Sequence, residues 1–163
     1  MNLVPGAESF LRRASTRLDT AERMLAEGNL PEVVRFSQEA TEHSLKAALR
    51  LFEVEYPKRH DPAEALKAGR SKFPRWFQVE IPRMAALSAI LSANRELAVY
   101  GDERIGKTAD DLFSDKAQAA VWSADARRVY RLCLRLSRAT QSQRKVTSPS
   151  SNPKGRKLKA GLA

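Results

Sequence analysis

The chain has 163 residues, one cysteine and a formal net charge of +10. A chain of this length can bury one core without disulfides or metal ions, so we expect a single domain. Its hydrophobic share of 42% and charged share of 29% exclude a fully disordered protein. The longest apolar stretch, Met84–Leu91, is far shorter than the roughly 20 residues of a membrane span. We expect no membrane helix, and the lone Cys133 and an N-terminus unlike a secretion signal favour the cytoplasm.

The composition also predicts the fold class. Ala (24 residues) and Leu (18) far outnumber Val (9) and Ile (3). Ala and Leu lose little entropy in a helix, whereas β-branched residues favour strands. The sequence therefore predicts an all-α protein, an antiparallel up-and-down bundle of four long helices plus one short helix.

Capping residues and apolar spacing place these helices along the chain. Gly28 is suited to end the first helix in the left-handed conformation, and Asn29 and Pro31 are typical of a helix start. Asp61 and Ser114 are further candidate caps, and Gly101–Phe113 is expected to be a loop. The predicted helices are Glu8–Glu27, Asn29–Glu53, the short Asp61–Gly69, Pro82–Tyr100 and Ser114–Ala139.

The C-terminal segment differs in composition from the rest of the chain. Residues 141–163 hold no acid, and Ser, Pro and Gly dominate among their uncharged residues. Such a segment cannot bury enough apolar area to offset its ordering entropy, so we predict a helical domain over 1–140 and a disordered basic tail over 141–163. The basic residues of the tail are Arg144, Lys145, Lys154, Arg156, Lys157 and Lys159.

The second helix contains a recognisable string. Residues 38–49 read Q-E-A-T-E-H-S-L-K-A-A-L, which fits Q-x-A-x-E-x-x-L-K-A-x-L. The string resembles the signature of HEPN domains, named for higher eukaryotes and prokaryotes nucleotide-binding, and the similarity extends over about Glu8–Ala139. Further resemblances lie in Gly28-Asn29-Leu30, in Arg59-His60-Asp61, and in Arg95 with Tyr100-Gly101-Asp102-Glu103.

The resemblance implies a helical bundle that often dimerises. Many HEPN proteins are encoded beside a small nucleotidyltransferase, and some are toxins that cleave RNA, using an Arg followed after four to six residues by a His. Here no His follows Arg95, because the only histidines are His43 and His60. Tyr100 occupies that neighbourhood, but an ordinary phenol is a poor base at neutral pH. We therefore expect a non-catalytic protein. If it does cleave RNA, the catalytic candidates are Arg95 together with Tyr100, His60 or His43 brought close by folding.

The last predicted helix carries arginines opposite its apolar stripe. A solvated face is one interpretation, and a phosphate-binding strip that continues into the tail is the other, because guanidinium groups bind phosphates bidentately. No RNA-recognition or zinc-finger motif accompanies these residues, so such binding would be sequence-independent and salt-sensitive. The strip consists of Arg127, Arg128, Arg131, Arg135 and Arg138.

Charged residues of the second helix allow two interpretations. Glu39 and His43, and likewise Glu42 and Lys46, lie four residues apart with the acid first, which favours local pairing on the helix. Alternatively, Glu42 and Lys46 point into the bundle and form a polar cluster with Arg95. A buried charge needs such a partner because desolvation without one is too costly.

Three other features have less weight. Gly101–Thr108 matches the phosphate-loop pattern G-x-x-x-x-G-K-[ST], but it follows a helix rather than a strand, so we expect an ordinary loop. Two histidines and one cysteine do not supply a metal site, and no cofactor is expected. Phe73, Trp76 and Phe77 are interpreted as a hydrophobic plug or dimer contact. Base stacking is an alternative because the basic residues Lys72 and Arg75 accompany them.

Together these features predict a HEPN-like binding module. Its expected partners are a second copy of the chain, a nucleotidyltransferase, or RNA and nucleotide phosphates. The alternative is an atypical, toxin-like HEPN ribonuclease centred on Arg95. A third interpretation is an RNA-binding accessory protein whose affinity resides in the basic tail.

Overall fold

The computed structural model describes residues 4–58 and 60–147. Only the backbone is described for Val4, Pro5, Arg144, Lys145 and Thr147. Within these residues the fold is all-α with four long helices, as the composition predicts. The helices are α1 (Val4–Glu27), α2 (Leu30–Leu51), α3 (Ala63–Ala68), α4 (Arg75–Gln78), α5 (Ile81–Tyr100), α6 (Ala109–Leu112) and α7 (Lys116–Thr147).

The long helices form an antiparallel bundle with α2 at its centre. Helix α2 packs against α1, α5 and α7, and most of its residues are buried. Gly28, at φ +78°, lets the chain reverse between α1 and α2. Gln141 near the end of α7 donates to Glu8 near the start of α1 at 2.9 Å, so these helices run in opposite directions. The core of the bundle includes Leu45 of α2 and Leu91 of α5, both fully buried.

Helix α7 differs from its predicted bounds at both ends. Its first turn is capped by Asp115, whose Oδ1 accepts from the Gln118 amide at 3.1 Å, and not by Ser114. The helix continues to Thr147 and not only to Ala139. Half of the eight added residues are good helix formers, and Gln141 is hydrogen-bonded to Glu8 of α1. Of the predicted tail, residues 141–147 are therefore helical, and residues 148–163 lie outside the described part of the chain.

The connections contain more helix than the single short one predicted. Helices α4 and α6 have four residues each. Phe73 and Phe77 are buried with their ring centroids 5.0 Å apart, which fits the predicted hydrophobic plug. The segment resembling a phosphate loop, Gly101–Thr108, is closed by a single antiparallel bridge and leads only into α6. Asn29 precedes α2 but its side chain makes no capping hydrogen bond.

Candidate functional site

A polar cluster lies on the buried side of α2. Lys46 Nζ donates to Glu42 Oε1 at 2.6 Å, and Gln38 Nε2 donates to Glu42 Oε2 at 3.0 Å. These residues are four apart on the helix and therefore share one face. All three are buried, so the Glu42 carboxylate has its charge neutralised and hydrogen-bonded inside the protein.

His60 joins this cluster from the loop before α3. Its Nδ1 lies 3.1 Å from Glu42 Oε2. Its backbone carbonyl accepts from Gln38 Nε2 at 3.1 Å and from Ser92 Oγ of α5 at 3.0 Å. The loop is thereby fastened to both α2 and α5. The imidazole itself remains 59% exposed, whereas the Glu42 side chain is 9% exposed.

The α5 side of this region contains Arg95. Ser88 Oγ donates to Asp61 Oδ1 at 2.7 Å, and Arg95 lies about two turns further along the same helix. Arg95 Nε is buried and has no hydrogen-bond partner among the described residues. Of the three residues expected to cluster, the structure brings Glu42 and Lys46 into an ion pair, and Arg95 is not one of the hydrogen-bond partners of Glu42.

The contacts of Glu42 set its protonation state. Burial by itself raises the pKa of this carboxyl group, but hydrogen bonds from Lys46, Gln38 and His60 and the charge of Lys46 outweigh burial. The pKa of Glu42 is therefore lowered, and the group is ionised at neutral pH. An open cleft of about 980 Å³ adjoins the cluster, and its lining includes Phe10, Glu42, Lys46, Arg50, Tyr56 and His60.

The other predicted catalytic candidates are not assembled around this cleft. Tyr100, the last residue of α5, is 76% exposed. Its hydroxyl makes no hydrogen bond to Arg95 within the described residues. The predicted pairing of Glu39 with His43 does not form. Glu39 pairs with Arg17, and the buried His43 Nδ1 has no hydrogen-bond partner within the described part of the chain.

The arginine strip on α7 divides into two parts. Arg127 Nε lies 2.7 Å from Glu22 Oε1, and its Nη2 lies 3.4 Å from Asp19 Oδ1, both on α1. Arg128 Nη2 donates to both carboxylate oxygens of Glu80, at 3.0 and 2.8 Å. These two arginines therefore hold α7 against neighbouring parts of the bundle.

The remaining arginines of the strip have no such partners. Arg131, Arg135 and Arg138 are exposed and make no ion pair with a described residue. They line a shallow surface groove of about 400 Å³. The guanidinium carbon of Arg135 lies 4.2 Å from the centroid of the Trp76 ring. The strip thus presents three positive charges that no described carboxylate neutralises.

The described residues offer little basis for metal or thiol chemistry. No group of three or more His, Cys, Asp or Glu side chains among them is placed to hold a metal ion. Cys133 is fully buried on the apolar side of α7, and burial raises the pKa of its thiol. It is a core residue, as its position on the apolar stripe predicts. In the part of the chain that is described, no helix combines the length and apolarity needed to span a bilayer.

The architecture and these two sites define a small helical-bundle domain with a buried ion pair on its central helix and a cationic outer helix. The chain belongs to the HEPN family, because the model of the HEPN domain matches residues 7–136. This match covers almost all of the four-helix bundle. The family is involved in nucleotide or RNA binding or in ribonuclease activity, and its members often form dimers. Neither the curated proteins nor the solved structures contained a significant match.

Sequence reasoning missed two features of these sites. It did not pair His60 with Glu42, although the Arg59-His60-Asp61 string had drawn attention to that loop. It also did not separate the paired from the unpaired arginines of α7. Both features depend on contacts between distant parts of the chain. For the arginines, the sequence signal was the presence of acidic residues such as Asp19 and Glu80, but their positions do not show which arginine they pair with.

Proposed function

We propose that this protein is a non-catalytic HEPN binding module that binds RNA through its phosphates. The observation that supports this is the contrast within the α7 strip. Arg131, Arg135 and Arg138 are exposed and lack carboxylate partners among the described residues, whereas Arg127 and Arg128 are paired. Guanidinium groups bind phosphate oxygens bidentately, so three of them on one helix face suit a polyanion.

The overall charge supports the same proposal. A net charge of +10 draws the chain toward polyanions at long range. Residues 148–163, which lie outside the described part of the chain, contribute four of the positive charges and no acid. We expect these residues to add sequence-independent affinity to that of the strip, and the binding to weaken as salt concentration rises.

The test is a comparison of two variants in binding to a short single-stranded RNA at low salt. The triple variant Arg131→Gln, Arg135→Gln, Arg138→Gln removes the unpaired charges, and we expect it to lose most of the affinity. The matched control Arg127→Gln, Arg128→Gln removes paired charges from the same helix and should bind nearly as well as the wild type. Equal losses in both variants would contradict a role for the unpaired arginines.

A truncation after Thr147 separates the strip from the tail. If affinity resides in the strip, the truncated chain keeps most of its binding, and the triple variant loses it even with the tail present. If the truncated chain no longer binds RNA while its helical circular dichroism is unchanged, the tail-driven interpretation is correct instead. The truncated chain and the triple variant therefore distinguish binding by the tail from binding by the strip.

We also propose that the protein acts as a homodimer. An apolar groove of about 220 Å³ between α5 and α7 supports this, and it is flanked by Ile90, 45% exposed, and Val121, 53% exposed. An Ile90→Glu substitution should convert a dimer to a monomer in sedimentation or light scattering. A wild-type monomer that becomes a heterodimer with a nucleotidyltransferase encoded nearby would assign the groove to that partner.

An atypical ribonuclease is the second candidate, and one observation favours it. The His60 imidazole lines the cleft, is 59% exposed and is oriented by its Nδ1 contact with the Glu42 carboxylate, and histidine is the residue most often used in general acid–base catalysis. The catalytic candidates Arg95, Tyr100 and His60 can be tested by RNA cleavage. Under the enzyme hypothesis, His60→Gln or Arg95→Ala abolishes cleavage that the wild type performs. Under our proposal, the wild type binds RNA without cleaving it.

A further inference from the structure

Trp76 is the aromatic residue of the α4 region that reaches the surface. Its neighbours Phe73 and Phe77 are 3% and 0% exposed and belong to the core. The Trp76 ring stands at 90° to that of Phe77, with centroids 5.7 Å apart. The edge contact anchors the indole against the core, so the ring is held in place at the surface.

Arg135 lies over one face of this indole. The guanidinium carbon lies 4.2 Å from the ring centroid, and Arg135 is exposed and makes no ion pair with a described residue. The cover is therefore a long, flexible side chain held by a single cation–π contact at the protein surface. Such contacts at exposed sites are weak.

Replacing the Arg135 side chain by a nucleobase on this face of the indole should be energetically favourable. Stacking of a base on an aromatic side chain is stronger than an exposed cation–π contact. The displaced Arg135 would then be free to bind a phosphate between Arg131 and Arg138. These two arginines are seven residues apart, about 10 Å along the helix. Arg135 lies between them on the same helix face and contacts the indole, so a strand that spans both arginines would run close to the ring.

We propose that Trp76 is a base-stacking platform that exchanges Arg135 for a nucleobase, and that the bound RNA is therefore single-stranded. A duplex keeps its bases stacked on one another and cannot offer one to the indole. The inference rests on the proposed RNA binding. It adds that the bound RNA is single-stranded and that Trp76 recognises it by stacking on a base.

Fluorescence of the indole provides a direct test in the full-length chain. The protein has two tryptophans, Trp76 and Trp122. Titration with a short oligoadenylate should quench part of the wild-type emission, and an abasic oligonucleotide of equal length and charge should not. In Trp76→Phe, which keeps an aromatic ring in the plug, this quenching should disappear because only Trp122 emits.

Affinity measurements complete the test. We expect Trp76→Ala to weaken binding of the oligoadenylate about tenfold and to leave binding of the abasic strand unchanged. Circular dichroism of the variant confirms that the bundle is folded, and the quenching experiment does not depend on this variant. Double-stranded RNA should bind more weakly than the single strand and cause no quenching.

The failures are distinguishable. If the oligoadenylate and the abasic strand bind equally and neither quenches Trp76, the arginines bind phosphate without base stacking, and the inference is overturned while the proposed function stands. If neither strand binds at low salt, the proposed function itself is wrong and the inference fails with it.

Discussion

Two charged regions of this bundle differ in how their charges are satisfied. Around Glu42, the positive and negative groups are buried and paired with one another, so the cluster contributes to the fold. In the C-terminal half of α7, Arg131, Arg135 and Arg138 are exposed and have no carboxylate partner among the described residues. A charge that is already neutralised within the chain attracts a charged ligand only weakly. The unneutralised charges are therefore where a ligand should be sought.

The largest expected effect comes from breaking the buried pair. Glu42→Ala leaves the Lys46 ammonium buried without a counter-ion, and loss of one partner of a buried pair typically costs about 3–5 kcal/mol. We expect a loss of this order in the free energy of unfolding, measured with urea. The same substitution at Glu64, whose pair with Lys67 is exposed, should have no measurable effect. Equal stability of both variants would show that the cluster does not support the fold.

The second effect concerns the unpaired arginines and the salt dependence of RNA binding. For single strands, the logarithm of affinity falls with the logarithm of salt concentration by about 0.7 for each phosphate contact. Removing Arg131, Arg135 and Arg138 should therefore reduce the slope by about 2. Binding measured over a series of salt concentrations checks this. An unchanged slope would mean that these arginines do not contact phosphates.

The third effect is a pH dependence of stability that originates on α2. Burial, assisted by the nearby positive charge of Arg13, lowers the pKa of His43. The unfolded state then binds more protons than the folded state as pH falls toward and below 6.5, the ordinary value for histidine. Stability should accordingly decrease as pH is lowered through this range.

A His43→Gln variant isolates this contribution, because the side chain no longer titrates. Urea unfolding of wild type and variant between pH 5 and 8 should show a smaller slope in the variant. Glu42 acts in a separate window: its pKa is lowered in the fold, so its stabilisation is present above its ordinary value of 4.5 and is lost as pH falls further. Identical slopes in wild type and variant would contradict the burial of His43.

The sequence was sufficient for the fold but only partly for the sites. Gly28 separates the first two helices because it adopts the left-handed backbone conformation, which depends only on local sequence. The string on α2 was specific enough to predict the family. The Glu42–Lys46 pair combines parts of the two interpretations: the residues pair along the helix and are buried, but Arg95 is not a hydrogen-bond partner of Glu42. The spacing alone does not say whether a helix face is buried.

What the sequence did not reveal depends on tertiary contacts. His60 meets Glu42 across 18 residues, and Arg128 meets Glu80 across 48. The five arginines of α7 have the same residue type and similar spacing, so their pattern contains no information on which of them are neutralised. Packing of α1 and of the start of α5 against α7 decides that.

The smallest effect is expected at the paired arginines of the strip. Arg128 and Glu80 form a partly exposed ion pair, with 42% and 25% of their side chains accessible, so solvent screens much of their attraction. A double-mutant cycle with Arg128→Ala and Glu80→Ala should give a coupling energy of at most about 1 kcal/mol in the free energy of unfolding. RNA affinity of Arg128→Ala should stay close to that of the wild type, because Glu80 already neutralises this guanidinium. A substantial gain in affinity on Glu80→Ala would sharpen the comparison further, since it would show that freeing one arginine is enough to extend the binding strip.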